Sequence, residues 1–152
     1  MTVRLHATAV FAGGRGALLR GSSGRGKSDL AFRLLQRFTD ARLIADDQVC
    51  LTAREGRLMA RPPDVIAGLL EVRGLGLARV PHMEEGSIDI VVDLVARDEV
   101  PRLPEPRHVE IEGVRLPLLA LHAFDAGTPG KLRLALATIA VHGFPGEDGL
   151  LG

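Results

Sequence analysis

Aromatic and sulfur-containing side chains are scarce in this chain of 152 residues. It has no tryptophan, no tyrosine, five phenylalanines and one cysteine, Cys50. A single cysteine cannot form an internal disulfide or a Cys-x-x-Cys metal cluster. The few aromatic rings offer little surface on which single-stranded nucleic acid could stack. The core is therefore expected to consist of aliphatic side chains.

An excess of charge of either sign is also missing. The 19 basic and 19 acidic residues cancel, and the calculated pI is about 7.0. Dedicated nucleic-acid-binding domains are usually basic. No apolar run approaches the roughly 20 residues of a membrane helix, and the N-terminal residues lack the apolar stretch of a signal peptide. We therefore expect a cytoplasmic protein that binds neither nucleic acid nor membranes.

The hydrophobic pattern predicts one α/β domain with a mixed β-sheet, several hairpins and few helices. Hydrophobic residues make up 46% of the chain, which suffices for a core. Helical spacing is found in Asp29 to Phe38 and in Thr128 to Val141, where Thr128 is a candidate cap. Residues 1–142 are expected to form the domain, and residues 143–152 a flexible tail. The predicted strands are Leu5 to Ala12, Ala17 to Arg20, Arg42 to Ala45, Gln48 to Thr52, Arg57 to Arg61, Leu69 to Val72, Ile88 to Ala96 and the two arms of a hairpin over Val109 to Leu116.

A phosphate-binding loop lies between the first predicted hairpin and the first predicted helix. Its eight residues match the pattern G-x-x-x-x-G-K-S. In such a loop, backbone N–H groups surround phosphate oxygens, the lysine reaches the β- and γ-phosphates, and the serine hydroxyl binds Mg²⁺. The pattern therefore predicts a nucleotide and Mg²⁺ as ligands. The loop residues are Gly21, Ser22, Ser23, Gly24, Arg25, Gly26, Lys27 and Ser28.

Acidic residues follow two of the predicted strands. Asp46 and Asp47 come directly after Arg42 to Ala45, and a solvated turn is the alternative interpretation. A phosphate-binding loop favours a functional role, because phosphoryl transfer needs a carboxylate near the metal and a group that handles the acceptor hydroxyl. Adjacent strand residues point to opposite faces, so the two aspartates need not share a role unless the strand has ended.

Two weaker candidates are a glutamate and a histidine in apolar surroundings. Glu71 follows two leucines, where an unpaired buried charge would be costly; a surface pair with Arg73 is the alternative. His6 lies in the first apolar strand, where a hydrogen-bonded core or edge residue is the alternative.

Together these motifs resemble the catalytic domain of the HPr kinase/phosphorylase family. The resemblance runs from His6 to about Val141. The histidine on the first strand is followed by the phosphate-binding loop, then by Leu-Ile-Ala-Asp-Asp, and then by Leu-Leu-Glu-Val-Arg-Gly-Leu-Gly. The resemblance implies a P-loop kinase fold of the type found in the family's C-terminal domain. The usual members carry an additional N-terminal domain before the matching histidine, whereas His6 lies almost at the start of this sequence. We therefore expect a short, single-domain form.

The resemblance also implies a role for each matching residue. Lys27 would bind the nucleotide phosphates, and Ser28 with Glu71 would hold Mg²⁺. Asp47 would accept the proton of the target serine, with Asp46 in support and His6 beside it. The remaining assignments are Arg73 and Lys131 as phosphate or substrate contacts, and Arg102, or alternatively Arg97, as a catalytic arginine.

The implied activity is an ATP-dependent phosphorylation of a serine in the phosphocarrier protein HPr. The implied reverse reaction is a phosphorolysis that releases pyrophosphate. A homo-oligomer, a hexamer by resemblance, is expected. Two alternatives stay open at this point: an ATP-binding regulatory protein without kinase activity, and a kinase for another acceptor.

Overall fold

The computed structural model of the protein describes the backbone of all 152 residues and every side chain except that of Val65. The described backbone contains twelve strands, three α-helices and two short 3-10 turns, Asp64–Ile66 and Arg97–Glu99. The helices are α1 (Lys27–Arg37), α2 (Thr128–Ala137) and α3 (Ile139–His142). The strands are β1 (Thr2–His6), β2 (Thr8–Ala12), β3 (Arg15–Arg20), β4 (Arg42–Ala45), β5 (Gln48–Arg54), β6 (Arg57–Arg61), β7 (Leu69–Val72), β8 (Gly76–Arg79), β9 (Gly86–Ile88), β10 (Ile90–Leu94), β11 (His108–Ile111) and β12 (Val114–Leu121).

The predicted α/β class, with several hairpins and few helices, is confirmed by these elements. In two hairpins the turn is formed by a Glu-Gly pair in which both residues have positive φ. The φ angles are 51° for Glu55 and 78° for Gly56 in one hairpin, and 50° for Glu112 and 79° for Gly113 in the other. Such turns match the right-handed twist of the strands they connect. The strand predicted over Arg42 to Ala45 has those bounds in the structure.

The largest sheet has six strands in the order β11-β12-β10-β3-β2-β4. Strand β10 runs parallel to both β3 and β12, whereas β2 runs antiparallel to both β3 and β4. Consequently β4, β3, β10 and β12 all run in one direction. Their carboxyl ends lie at the same edge of the sheet, and the phosphate-binding loop follows β3 at this edge.

The six-stranded sheet separates two apolar cores. Leu18 and Leu19 are adjacent in β3 and fully buried, yet they belong to different cores, because successive side chains of a strand point to opposite faces. Leu19 packs in a core shared with α1 and α2. Leu18 packs in a second core with β5, β6 and β9 of the four-stranded sheet, whose order is β1-β5-β6-β9. The hairpin β7-β8 forms a third, two-stranded sheet.

Three extended stretches of the chain change sheets midway; the first and third were each predicted as one strand, and the second as two consecutive strands. The predicted strand Leu5 to Ala12 is broken at Ala7, where the chain passes from the four-stranded to the six-stranded sheet. Asp46 and Asp47 separate β4 from β5 in the same way. The predicted strand Ile88 to Ala96 is broken at Asp89, whose carboxylate accepts hydrogen bonds from Gly16 N and Ser87 Oγ. A continuous strand was the wrong prediction for the first and third segments.

The helix predicted over Thr128 to Val141 consists of two helices. Thr138 separates them and donates its hydroxyl to the Leu134 carbonyl at 2.8 Å, a contact that bends helices. Thr128 is not the cap, because Gly127 occupies the capping position and the Thr128 hydroxyl donates to the His122 carbonyl at 2.6 Å. Pro129 lies in the first turn of α2.

No described helix is long and apolar enough to cross a membrane. In residues 143–152 the described backbone contains neither helix nor strand, and Phe144 packs against the core that contains α1 and α2. The flexibility of this tail and the domain boundary at residue 142 stay predictions.

Candidate active site

The phosphate-binding loop joins β3 to α1. Helix α1 begins without a side-chain cap, and Gly26 at its N-cap position has a φ of 93°, which favours glycine. The first N–H groups of the helix are therefore available to an anion, and the helix dipole also favours negative charge there. The Lys27 side chain is buried, and its Nζ donates to the Gly21 carbonyl at 2.6 Å.

Asp46 lies behind this loop as a buried carboxylate. Its Oδ1 accepts hydrogen bonds from Ser28 Oγ at 2.6 Å and from Thr8 Oγ1 at 3.0 Å, and its Oδ2 accepts one from Glu71 N at 3.4 Å. Because Ser28 gives its proton to Asp46, the lone pairs of the serine oxygen remain free for a metal. Asp46 therefore fixes the orientation of the serine hydroxyl.

Asp47 points the other way, into solvent. It has a φ of 69°, and Gln48 N donates across it to the Asp46 carbonyl at 2.8 Å, which closes a tight turn. The Asp47 carbonyl accepts from Ala7 N at 3.1 Å. Its side chain is 64% exposed, and its Oδ1 lies 2.5 Å from His6 Nε2. An ionised carboxylate only accepts, so His6 donates this hydrogen bond when Asp47 is charged.

A cleft of about 410 Å³ opens between the phosphate-binding loop and these residues. Most of the residues predicted for the site are among those that line it, and Asp46 lies directly behind Ser28. The residues that line the cleft are His6, Ser23, Gly24, Gly26, Lys27, Ser28, Asp29, Phe32, Asp47, Glu71, Val72, Arg73 and Phe124.

Four predicted cations do not line this cleft among the described side chains: Arg25 of the phosphate-binding loop, Arg97, Arg102 and Lys131. Arg102 is exposed in the loop before β11. Arg97 is hydrogen-bonded to Asp125, with 2.8 Å between Nε and Oδ1. That hydrogen bond and the charge of Arg97, with smaller effects of the charges of His122 and Lys131, hold the pKa of Asp125 below its usual range. The structure thus places Arg97 and Lys131 together beside the loop that follows β12.

Three residues of this region were not predicted from the sequence. Thr8 is fully buried and contacts both aspartates, because its hydroxyl also accepts from Asp47 N at 3.4 Å. Arg33 holds the loop after β12, and Phe124 of that loop lines the cleft. A threonine in an apolar strand two residues after His6 was the only signal for Thr8. No local pattern marked the other two.

The side chains present fit a Mg²⁺ ion held jointly with a nucleotide. Ser28 offers a hydroxyl oxygen and Glu71 a carboxylate in the same cleft. No cluster of three His, Cys, Asp or Glu side chains that could hold a metal exists within the described part of the chain. Mg²⁺ is usually bound by one or two protein oxygens together with substrate phosphates, so a full protein cage is not required.

Comparison with known proteins shows the family to which this chain belongs. Residues 1–123 match the family model of the HPr Serine kinase C-terminal domain. The chain belongs to this family. Curated relatives named HPr kinase/phosphorylase include one from Clostridium tetani, 35% identical over 133 residues, and one from Clostridium beijerinckii, 44% identical over 77 residues.

Each of these matches covers only part of the relative. The first relative is matched over 76% of this chain and 42% of its own length, the second over 51% and 25%. The chain thus spans less than half the length of these relatives. Among solved structures, an HPr(Ser) kinase/phosphatase from Coxiella burnetii superposes with a TM-score of 0.78 at 23% identity, covering 89% of this chain and 94% of that one. This likeness confirms the P-loop kinase domain of the HPr kinase C-terminal type as the fold.

Proposed function

We propose that this chain is an ATP-dependent protein serine kinase that phosphorylates an HPr-type phosphocarrier protein in the cytoplasm. The observation that carries the proposal is the shared cleft. In this cleft the exposed carboxylate of Asp47 shares the lining with the phosphate-binding loop, whose residue Ser28 is oriented by Asp46. A protein that only binds nucleotide has no need of the second, solvent-facing carboxylate. The relatives' name, HPr kinase/phosphorylase, supports the choice of acceptor.

Asp47 is the proposed proton acceptor for the serine hydroxyl. Its carboxylate is exposed at the cleft, so a protein substrate can reach it. The hydrogen bond from His6 fixes the direction of Oδ1 and leaves Oδ2 for the substrate. In the reverse reaction, the phosphorolysis, the protonated Asp47 would return its proton to the serine oxygen. General-base catalysis of this kind typically contributes 10²- to 10⁴-fold in rate.

The phosphate-binding loop would stabilise the transferring phosphoryl group. Lys27 and the first N–H groups of α1 would bind the phosphate oxygens, and Arg73 lies in the same cleft as a further cation. Ser28 and Glu71 would hold Mg²⁺, which when bound neutralises the charge of the phosphates. Assignment of Arg102 or Arg97 as a catalytic arginine and of Lys131 as a phosphate contact would require movement toward the cleft or a neighbouring subunit. A homo-oligomer such as a hexamer would supply such a neighbour.

An Asp47→Asn variant tests this proposal. Purified protein, the HPr-type phosphocarrier of the same organism, ATP and Mg²⁺ are combined, and intact mass spectrometry counts the added phosphoryl groups. We expect one acid-stable phosphoserine with the wild type, and at least an approximately 100-fold slower transfer with Asp47→Asn, while ATP affinity is unchanged. Glu55→Gln, in a hairpin turn at the far end of β5, is the matched control and should transfer at the wild-type rate.

Two results would contradict the proposal. Near-wild-type transfer by Asp47→Asn would remove Asp47 from the role of proton acceptor. An unmodified phosphocarrier in the presence of wild-type protein that binds ATP tightly would show that the acceptor is another molecule, or that the chain only binds nucleotide.

A further inference from the structure

Phe124 is an exposed aromatic ring in a chain that has very few. It is 53% exposed, whereas the other four phenylalanines are at least partly buried and pack against the two cores. Its ring lies at the rim of the phosphate-binding loop: a Cβ atom at Gly26 would lie 2.9 Å from Phe124 Cζ. An exposed ring in contact with a phosphate-binding loop needs an explanation other than packing of the core.

The loop that carries Phe124, residues 122–127, is held firmly. Arg33 of α1 donates to the Ala123 carbonyl and, at 3.1 Å, to the Asp125 carbonyl. Thr128, directly after the loop, donates a hydrogen bond from Oγ1 to the carbonyl of His122, the first loop residue, at 2.6 Å. This bond joins the two ends of the loop. The His122 ring packs edge-on against that of Phe124, with 5.7 Å between centroids. The ring is therefore positioned before any ligand binds, which lowers the entropic cost of stacking on it.

The sheet order places Phe124 and Asp47 on opposite sides of the phosphate-binding loop. This loop follows β3. Asp47 follows β4, two strands away in one direction, and Phe124 follows β12, two strands away in the other. All three strands end at the same edge. Helix α1 contacts both sides as well. Its residue Ser28 is hydrogen-bonded to Asp46 on one side, and its residue Arg33 is hydrogen-bonded to the loop of Phe124 on the other.

A nucleoside triphosphate bound for transfer must present its terminal phosphate to Asp47. The remainder of the molecule then extends across the loop in the opposite direction, toward Phe124. We propose that Phe124 is the stacking surface for the nucleobase. This inference rests on the proposed function, since it takes the direction of the triphosphate from the role of Asp47. Stacking uses the face of the ring system, which every base has, so Phe124 should discriminate weakly between adenine and guanine.

The decisive experiment compares ligands with and without a base. Isothermal titration calorimetry of the 152-residue chain measures the affinity for Mg-ATP and for Mg-tripolyphosphate. Phe124→Ala should weaken ATP binding by about 5- to 150-fold and change tripolyphosphate binding by less than twofold. Leu134→Ala removes an equally exposed apolar side chain from α2 and should change neither affinity. Circular dichroism checks that each variant is folded.

A Phe124→Trp variant gives a second, independent readout. The chain contains no tryptophan or tyrosine, so the new indole would be the sole strong fluorophore. We expect Phe124→Trp to retain ATP affinity and its fluorescence to be quenched by Mg-ATP and Mg-GTP, but not by Mg-tripolyphosphate.

Equal weakening of both ligands by Phe124→Ala would overturn the inference in favour of a structural role. Unchanged ATP affinity together with a raised KM for the phosphocarrier would overturn it in favour of a contact with the protein substrate. Either result leaves the proposed kinase activity intact. Conversely, a phosphocarrier left unmodified by wild-type protein that binds ATP normally would refute the proposed function, whereas the comparison of Mg-ATP with Mg-tripolyphosphate would still decide whether Phe124 contacts the base.

Discussion

Thr8 makes the contacts that hold both aspartates in place. Its hydroxyl donates to the Asp46 carboxylate and accepts from the Asp47 backbone, and its side chain is fully buried. Asp46 in turn orients Ser28, and the Asp47 backbone has the positive φ that turns its side chain toward solvent. A single hydroxyl group therefore links the serine proposed to bind the metal with the proposed proton acceptor.

Replacing Thr8 by valine should reduce both stability and phosphoryl transfer. Valine has the same shape but leaves the Asp47 N–H without its partner, which costs about 1–3 kcal/mol of unfolding free energy. We expect kcat to fall by about 10- to 100-fold, because catalysis is sensitive to displacements of about 1 Å. Urea denaturation and the phosphocarrier assay measure the two effects.

Two further variants separate positioning from general destabilisation. Thr8→Ser keeps the hydroxyl and should recover most of kcat. Thr138→Val removes a comparable hydroxyl that bonds the Leu134 carbonyl far from the cleft, and should lower stability without changing kcat. If Thr138→Val and Thr8→Val reduced kcat alike, Thr8 would have no positioning role.

The loop of residues 122–127 owes its position to contacts made by two arginines from elsewhere in the chain. Arg33 binds its carbonyl groups, and Arg97 binds the side chain of Asp125. The hydrogen bond from Arg97 lowers the pKa of Asp125, so this carboxylate is charged in the folded protein over a wider pH range than in the unfolded chain. The contact with Arg97 therefore stabilises the fold in a pH-dependent way.

Asp125→Asn should lower the free energy of unfolding at neutral pH but not in strong acid. Because the folded-state pKa is depressed, the contribution of Asp125 is fully present above the pKa that this carboxyl has in the unfolded chain. The contribution is lost as the pH falls through the lowered folded-state pKa. Urea denaturation of both proteins at pH 7 and at successively lower pH measures the difference.

Glu105→Gln, in the exposed loop before β11, is the control for the loss of one acidic charge. A difference between Asp125→Asn and the wild type that grew as the pH fell would contradict the assigned ion pair.

The molecule as a whole is organised around one sheet with a core on each side. Leu18 and Leu19 extend from the same strand into different cores, and neither is accessible to solvent. The six-stranded sheet therefore contributes to the stability of both layers. Unfolding of one core would expose the sheet that forms half of the other, so the two cores should unfold together.

Leu18→Ala and Leu19→Ala should each destabilise the protein by about 2–5 kcal/mol and retain a single unfolding transition. Leu103→Ala, a change at an exposed leucine, should stay within about 0.5 kcal/mol of the wild type. Scanning calorimetry and far-ultraviolet circular dichroism measure the transitions. A biphasic curve for Leu18→Ala, with the four-stranded sheet lost first, would show that the two cores are independent.

Much of the site was predictable because its motifs are local. The phosphate-binding loop and the short strand before Asp46 each depend on residues that lie within about one turn or one hairpin of each other. Their backbone preferences and hydrophobic periods are therefore readable from the sequence. The strand pattern alone left the separate roles of Asp46 and Asp47 open, and only the family resemblance implied them. The alternation of side chains holds only until the strand ends, and here it ends at Ala45.

By itself, the sequence determined that this chain folds into an α/β domain with a phosphate-binding loop, a conclusion its family membership supports. The tertiary structure alone decided which residues surround that loop. Two segments that were predicted as continuous strands pass from one sheet to another, at Ala7 and at Asp89. The first of these changes brings Thr8 into hydrogen-bonding contact with Asp46, 38 positions away. Strand order likewise decided that Phe124 and Asp47 flank the loop from opposite sides. Such contacts depend on long-range strand pairing, in which the hydrogen-bonding partner lies far along the chain and leaves no periodic pattern near either residue.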